Sequence, residues 1–372
     1  MDYMSFIDIM RRYDVGDDNI IETGLPARDD GAGRPGILQV GILYSVTILL
    51  FLLVGYRVQN HEIYSGLLIT EFGLVLLPAL LFLLLFRFNL KNVLRLNGTK
   101  PLNFLIAFGI MLFAIPLASV FNLINLFLVN SVFGKIIVQP LPAAQNGFEL
   151  LLGILVFAGS AGICEEFLFR GVIQRGLERA GSVKAILITA LLFSLMHMDF
   201  QKIFGTFFLG ALIGFMVYRS NSLYCGMFSH FTNNALAVLA SYGSAKLAKL
   251  LNQAGNAIPK EMDLNSLFSA FDALPKNQLL LVLFIYGFML LFLAVIFVLL
   301  LFSFIKVNPV RKDASAIAEQ IAEHKSVRSR MLGLVGLVPG LLAIAVIYFV
   351  EMRGFIGAGN WFTKIVRQLL GV

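Results

Sequence analysis

Charge is scarce in this sequence. Asp, Glu, Lys and Arg make up 14% of the 372 residues, against 58% apolar residues and a mean hydropathy of +0.85. A soluble domain is about a quarter charged, so there is too little charge here to cover a globular surface, and a soluble enzyme is excluded first. Cysteine is nearly absent: Cys164 and Cys225 both lie inside apolar blocks, which excludes a disulfide framework. Histidine is limited to His61, His197, His230 and His324. His61-Glu62 has no second histidine four residues on, so the zinc-protease signature His-Glu-x-x-His is missing. Also missing are Gly-x-Ser-x-Gly and any pair of intramembrane aspartates, since Asp199 stands alone. The net charge of +7 does not point to nucleic acid, because the basic residues sit between apolar blocks.

Long apolar runs are what the sequence does contain. A membrane span needs roughly 17–25 such residues, and nine candidates are present: 37–56, 66–86, 102–129, 149–169, 183–199, 203–218, 222–241, 279–305 and 332–350. The fold class is therefore all-α, a polytopic transmembrane helical bundle of about eight or nine spans. The last span is interrupted by Gly333, Gly336, Pro339 and Gly340. Residues 1–36 are rich in aspartate and lack an apolar leader segment, and read as a cytoplasmic arm with a short helix around Phe6 to Arg12. Residues 37–148 hold the N-terminal transmembrane helices and 149–241 a polar-studded core. Residues 242–278 read as an extramembrane loop, and 279–372 as the C-terminal transmembrane helices with a charged loop at 306–330. Of the 29 Lys and Arg residues, 19 fall on the side of the N-terminus and 10 on the other, which places the N-terminus in the cytoplasm.

Ionisable residues inside spans are costly and mark function by default. The acids within the spans, apart from the edge residue Glu149, are Glu71, Glu165 and Glu166. Glu166 and Arg170 are four apart on one helical face, the acid first, which suits an ion pair. Glu165 points about 100° away, so one carboxylate is tied structurally and the other is free for chemistry. Phe193 and His197 share a face in the next span, and His230 and Asn234 share one in a later span. With Gly181 as the turn of a helical hairpin, Glu165 and His197 are each 16 residues from it and meet at one level, roughly 24 Å from the turn. A carboxylate beside a histidine can deprotonate water. A His and an Asn one turn apart can donate to an oxyanion or help hold a metal. Each element also has a plainer reading, as an interfacial ion pair or a helix-packing hydrogen bond.

In this order on successive spans, Glu165-Glu166-x-x-x-Arg170, Phe193-x-x-x-His197 and His230-x-x-x-Asn234 resemble the motifs of the CPBP intramembrane proteases. That family includes the type II CAAX prenyl endopeptidases and the bacterial Abi proteins. The resemblance covers roughly residues 149–240, and the Thr70-Glu71 run followed by Pro78 is similar to bacterial members. It implies that 149–241 is a catalytic CPBP-type core of an endopeptidase hydrolysing a peptide bond near the membrane. Glu165 and His197 would activate water, and His230 and Asn234 would stabilise the oxyanion. Glu166, Arg170 and Phe193 would support the site. The family carries both a metallopeptidase and a metal-independent glutamate reading, so Glu165, His197 and His230 are also the candidate ligands of a metal, zinc being the one named. The implied partners are a membrane-associated peptide or protein and the lipid bilayer, with no nucleic acid, in a bacterial plasma membrane. The alternatives are an inactive scaffold of the same family and an ion- or proton-coupled transporter using the same acids and histidines. Against the transporter, no repeat relates the two halves.

Overall fold

The computed structural model describes residues 33–137, 144–253, 273–309, 333–357, 363, 365–366 and 368. The expected short helix near Phe6, most of the arm, and the charged loop beyond residue 309 lie outside the described residues. All regular structure among the described residues is helical. The helices are α1 (Ile37–His61), α2 (Ile63–Leu85), α3 (Leu90–Val93), α4 (Pro101–Phe133), α5 (Gly147–Ala180), α6 (Ser182–Met196), α7 (Phe200–Ser220), α8 (Leu223–Gln253), α9 (Lys276–Val307) and α10 (Val335–Phe355). Seven of them (α1, α2, α4, α5, α7, α9 and α10) are long and apolar enough to cross a membrane. The protein is a multi-pass integral membrane protein.

Two expected spans differ from that set. Helix α6 has 15 residues, about 22 Å at 1.5 Å per residue, short of a hydrocarbon core of about 30 Å. It ends at Met196, so His197 caps the helix instead of lying within it, and Met198 turns the chain away in the left-handed region at φ 51°. Helix α8 is long enough but less apolar, because His230, Thr232, Asn233 and Asn234 occupy its first half. It also runs on to Gln253, through residues assigned above to the extramembrane loop. The stretch Ala245–Leu251 is built from Ala, Leu and Lys, all strong helix formers, so nothing stops the helix at 241.

Helix α5 occupies the middle of the bundle, with α1, α2, α6 and α8 packed around it. One core joins α1, α2, α5 and α6 through Tyr44, Val75, Leu168, Phe169 and Leu192. A second joins α4, α7, α8 and α9 through Ile110, Met111, Met216 and Phe304. The Tyr44 hydroxyl donates to the Leu192 carbonyl at 2.9 Å, tying α1 to α6. The turn between α5 and α6 falls at Gly181, as the hairpin reading requires; its φ of 101° suits glycine. Beneath that turn Glu178 is held by Arg95 through two bonds of 2.7 and 2.9 Å and by Arg175 at 2.7 Å. Outward-facing apolar side chains such as Leu85, Leu105, Val132 and Phe284 are exposed, as a lipid-facing surface demands.

The glycines of the last span are contact points. Ser45 of α1 donates to the Gly336 carbonyl at 2.7 Å and accepts from the Gly340 amide at 2.9 Å. A β-carbon on Gly336 would lie 2.6 Å from the Leu38 carbonyl oxygen and 2.9 Å from the Ile42 nitrogen. Both are backbone atoms that cannot yield without moving α1. Gly336→Ala is therefore expected to cost about 1–3 kcal/mol, read as a lowered thermal midpoint in detergent. A midpoint equal to the native value would refute this close docking of α10 on α1.

Candidate active site

Helix α5 brings two adjacent acids into the bundle where its winding changes. The α-helical stretch Ala161–Glu166 is flanked by π-helical turns at Ile154–Ser160 and Phe167–Ile173. Such turns widen a helix and re-aim the side chains beside them. Glycine lets the neighbouring helix come close: a β-carbon on Gly162 would lie 3.1 Å from the Met227 carbonyl oxygen of α8. A β-carbon on Gly226 would lie 2.9 Å from Glu166 Oε2. The backbone of α8 thus sits against α5 at Gly162 and against the Glu166 carboxylate.

Glu166 and Arg170 form the expected ion pair, Nη1 to Oε1 at 2.7 Å, with both side chains fully enclosed. Arg170 Nη2 donates to the Gly210 carbonyl of α7 at 3.0 Å, and its guanidinium lies 4.5 Å from the Phe193 ring centroid. Arg170 follows the glutamates into the protein interior and is fully buried. The same Glu166 oxygen lies 2.9 Å from His230 Nδ1. His230 is 4% exposed, and Nδ1 carries the proton that the carboxylate accepts.

Glu165 turns to a different set of neighbours. Its Oε2 is buried without a hydrogen-bond partner and stands 3.9 Å from His230 Nε2. On its other side the π-helical turn of α2 that carries Glu71 packs against this stretch of α5. His230 therefore bridges the two acids, one nitrogen to each. That bridge is not readable from the sequence, because it joins α8 to two faces of α5. Glu71 stands out in the sequence as an intramembrane acid, but no spacing links it to Glu165.

His197 is placed apart from the glutamates. Its Nδ1 lies 2.9 Å from the Phe193 carbonyl one turn back, which leaves Nε2 as the free ring nitrogen, and the residue is exposed. Phe193 links it to the rest: the His197 and His230 rings stand edge-on to the Phe193 ring, at centroid distances of 4.9 and 5.8 Å. Asn234 Nδ2 donates to the Phe157 carbonyl at 3.1 Å and Oδ1 accepts from Asn233 at 2.9 Å, so this amide ties α8 to α5. Among the described residues, no three His, Cys, Asp or Glu side chains are gathered as a metal ion would require. Glu165, His197 and His230, the candidate zinc ligands, are a facing pair and a separate histidine, and this arrangement does not fit a metal.

Residues 147–236 match the family model described as Type II CAAX prenyl endopeptidase Rce1-like. This segment runs from the start of α5 into α8 and contains every residue of the three motifs. No curated protein and no solved structure matches the chain.

The two acids differ in what their loss should do. Glu166→Ala strands the Arg170 charge and the His230 N–H inside the bundle; breaking a buried pair costs about 3–5 kcal/mol. The expected result is a large drop in thermal midpoint in detergent, with Glu165→Gln near the native value. Equal midpoints for Glu166→Ala and the native protein would refute the structural role of Glu166.

Proposed function

We propose that this protein, which carries a type II CAAX prenyl endopeptidase Rce1-like domain over residues 147–236, is an intramembrane endopeptidase acting through a water held between Glu165 and His230. The observation that carries this reading is the gap of 3.9 Å between Glu165 Oε2 and His230 Nε2. With Nδ1–H given to Glu166, Nε2 presents a lone pair, and Glu165 Oε2 presents another. Two acceptors facing each other can hold one water by its two O–H groups and leave the oxygen lone pairs free to attack a carbonyl. Attack forms the new C–O bond as the carbonyl electrons move onto oxygen and a water proton passes to Glu165 or His230; the oxyanion then collapses, the C–N bond breaks, and the same group returns the proton to the leaving amine nitrogen.

The other motif residues fit supporting roles. Glu166 fixes the His230 tautomer, and Arg170 and Phe193 fix Glu166 and the imidazole. His197, exposed and with Nε2 free, is suited to meet the substrate carbonyl or the leaving amine after taking up a proton. Asn234 has an N–H beyond the one given to Phe157 with which to donate to an oxyanion. The substrate is a membrane-associated peptide or protein, and the 19-to-10 bias of basic residues supports a cytoplasmic N-terminus in a bacterial plasma membrane.

The test is cleavage of a quenched fluorescent peptide bearing a lipidated cysteine three residues from its C-terminus, by purified protein in lipid nanodiscs. Glu165→Gln and His230→Ala are each expected to lower kcat by 10²-fold or more, as loss of a general base does. A Glu165→Gln variant with native kcat would sink the assignment. Orientation is tested separately by cysteine labelling in intact cells. Cys164 and Cys225 are buried, whereas Lys184 beside the α5–α6 turn and Lys246 near the far end of α8 are exposed. A membrane-impermeant maleimide is expected to label Lys246→Cys in intact cells and Lys184→Cys only after lysis. The reverse pattern would invert the topology.

A further inference from the structure

The chain bends sharply directly after His197. His197 keeps helical φ and ψ, Met198 takes a left-handed φ of 51°, and Asp199 is extended. The left-handed conformation is unfavourable for a residue with a long side chain, and glycine or asparagine normally occupies it. Met198 is also buried, with its side chain in the core that holds Leu168 and Leu192. Backbone of this kind persists only where its surroundings impose it, and it gathers where a side chain has to be aimed.

The surroundings of this corner are specific. Gln201 is buried and engages both backbone groups of Ile137, in the segment after α4: Oε1 accepts from the N–H and Nε2 donates to the carbonyl, each at 2.9 Å. Asn125 of α4, also buried, donates to the Phe200 carbonyl at 2.8 Å. Asp199 accepts from the Gln201 N–H at 2.9 Å, and Ser194 of α6 donates across the bend to the Ile203 carbonyl at 2.9 Å. The Phe200 ring centroid stands 5.7 Å from that of Phe133 on α4 and 5.1 Å from that of Phe355 on α10. A helix that merely ends needs none of this. Helix α4 itself closes on Gly134 in the left-handed region, with open space where a β-carbon would stand. The corner after α6 is instead clamped to α4 and α10, both outside the residues that match the family model.

What the clamp holds is His197. Among the described residues, the hydrogen bond of its ring is to its own helix, from Nδ1 to the Phe193 carbonyl, and the ring stands edge-on to Phe193, which His230 also meets. Its place therefore follows from where α6 ends and how the chain leaves it. We propose that Gln201 and Asn125 are positioning residues for His197. They fix the corner Met198–Lys202, and the corner fixes the end of α6, so that the imidazole is held beside Phe193 with Nε2 presented to the substrate. Misplacement of a catalytic group by about 1 Å can cost 10²-fold in rate. The proposal rests on the endopeptidase reading above and adds to it two side chains, one of them on a helix outside the matched segment.

The experiment is a double-mutant cycle in nanodiscs, measuring kcat and KM on the lipidated peptide, with thermal midpoints in parallel. Gln201→Met and Asn125→Leu keep the side-chain size and remove the hydrogen bonds; each is made in the native protein and in His197→Ala. His197→Ala alone is expected to lower kcat by about tenfold or more. In the native background Gln201→Met and Asn125→Leu are each expected to lower kcat by about fivefold or more with KM little changed. In the His197→Ala background each is expected to lower kcat by less than about twofold, because a residue acting through the imidazole has nothing left to position. A merely structural role would cost the same factor in both backgrounds. Equal factors in the two backgrounds overturn the proposal, and so does a native kcat for either folded single variant or for His197→Ala. If Gln201→Met does not fold, Asn125→Leu decides by the same comparison. A native protein that cleaves no lipidated peptide removes the endopeptidase reading and this proposal with it. A cleaving native protein with equal factors in both backgrounds removes this proposal only.

Discussion

A guanidinium group fully enclosed among membrane helices needs its charge met, and much of the centre of this protein follows from meeting that of Arg170 and the N–H groups of its two Nη atoms. Glu166 supplies the counter-charge, the Gly210 carbonyl of α7 takes a second N–H, and the Phe193 ring of α6 covers the guanidinium. Those contacts clamp α5, α6 and α7 together at one depth. The same Glu166 oxygen also meets His230 of α8, so the charge balance of Arg170 sets the orientation of an imidazole on a fourth helix. Gly162 and Gly226 are what allow that fourth helix to come close enough.

The consequence is a division of labour between neighbouring residues. Glu166 is engaged through Oε1, which meets a cation and an imidazole, while its Oε2 is buried without a hydrogen-bond partner. Glu165, one residue earlier, is turned about 100° by the helix and meets the far nitrogen of the same imidazole. Placing the two acids side by side on one helix gives each a different set of neighbours.

Elements outside the matched segment contribute more than scaffolding. Helix α1 carries Tyr44, which reaches α6, and Ser45, which receives α10 through Gly336 and Gly340. Helix α2 packs the π-helical turn that holds Glu71 against the Ala161–Glu166 stretch of α5. At the other end of α5, Arg95 from the loop after α3 and Arg175 from α5 itself converge on Glu178, and Arg95 also bonds Asn221 in the turn before α8. The hairpin of α5 and α6 is therefore fixed at its turn by one charge cluster and along its length by another.

What could be read from the residues alone is what helical periodicity carries. The apolar runs announce the spans, the four-residue spacing pairs Glu166 with Arg170 and Phe193 with His197, and Gly181 marks the hairpin turn. These relations lie within one helix or across one tight turn, where backbone geometry decides which side chains meet. The partner of Glu165 was not accessible in this way. Equal counting from Gly181 puts His197 at its level, yet α6 ends at Met196 and His197 stays with its own helix, bonded to the Phe193 carbonyl. The residue facing Glu165 is instead His230, brought in by α8 over Gly162. Local sequence determined the helices and which residues share a face. Only the tertiary structure decided which faces meet, because helix rotation and approach depend on packing along the whole length of neighbouring helices.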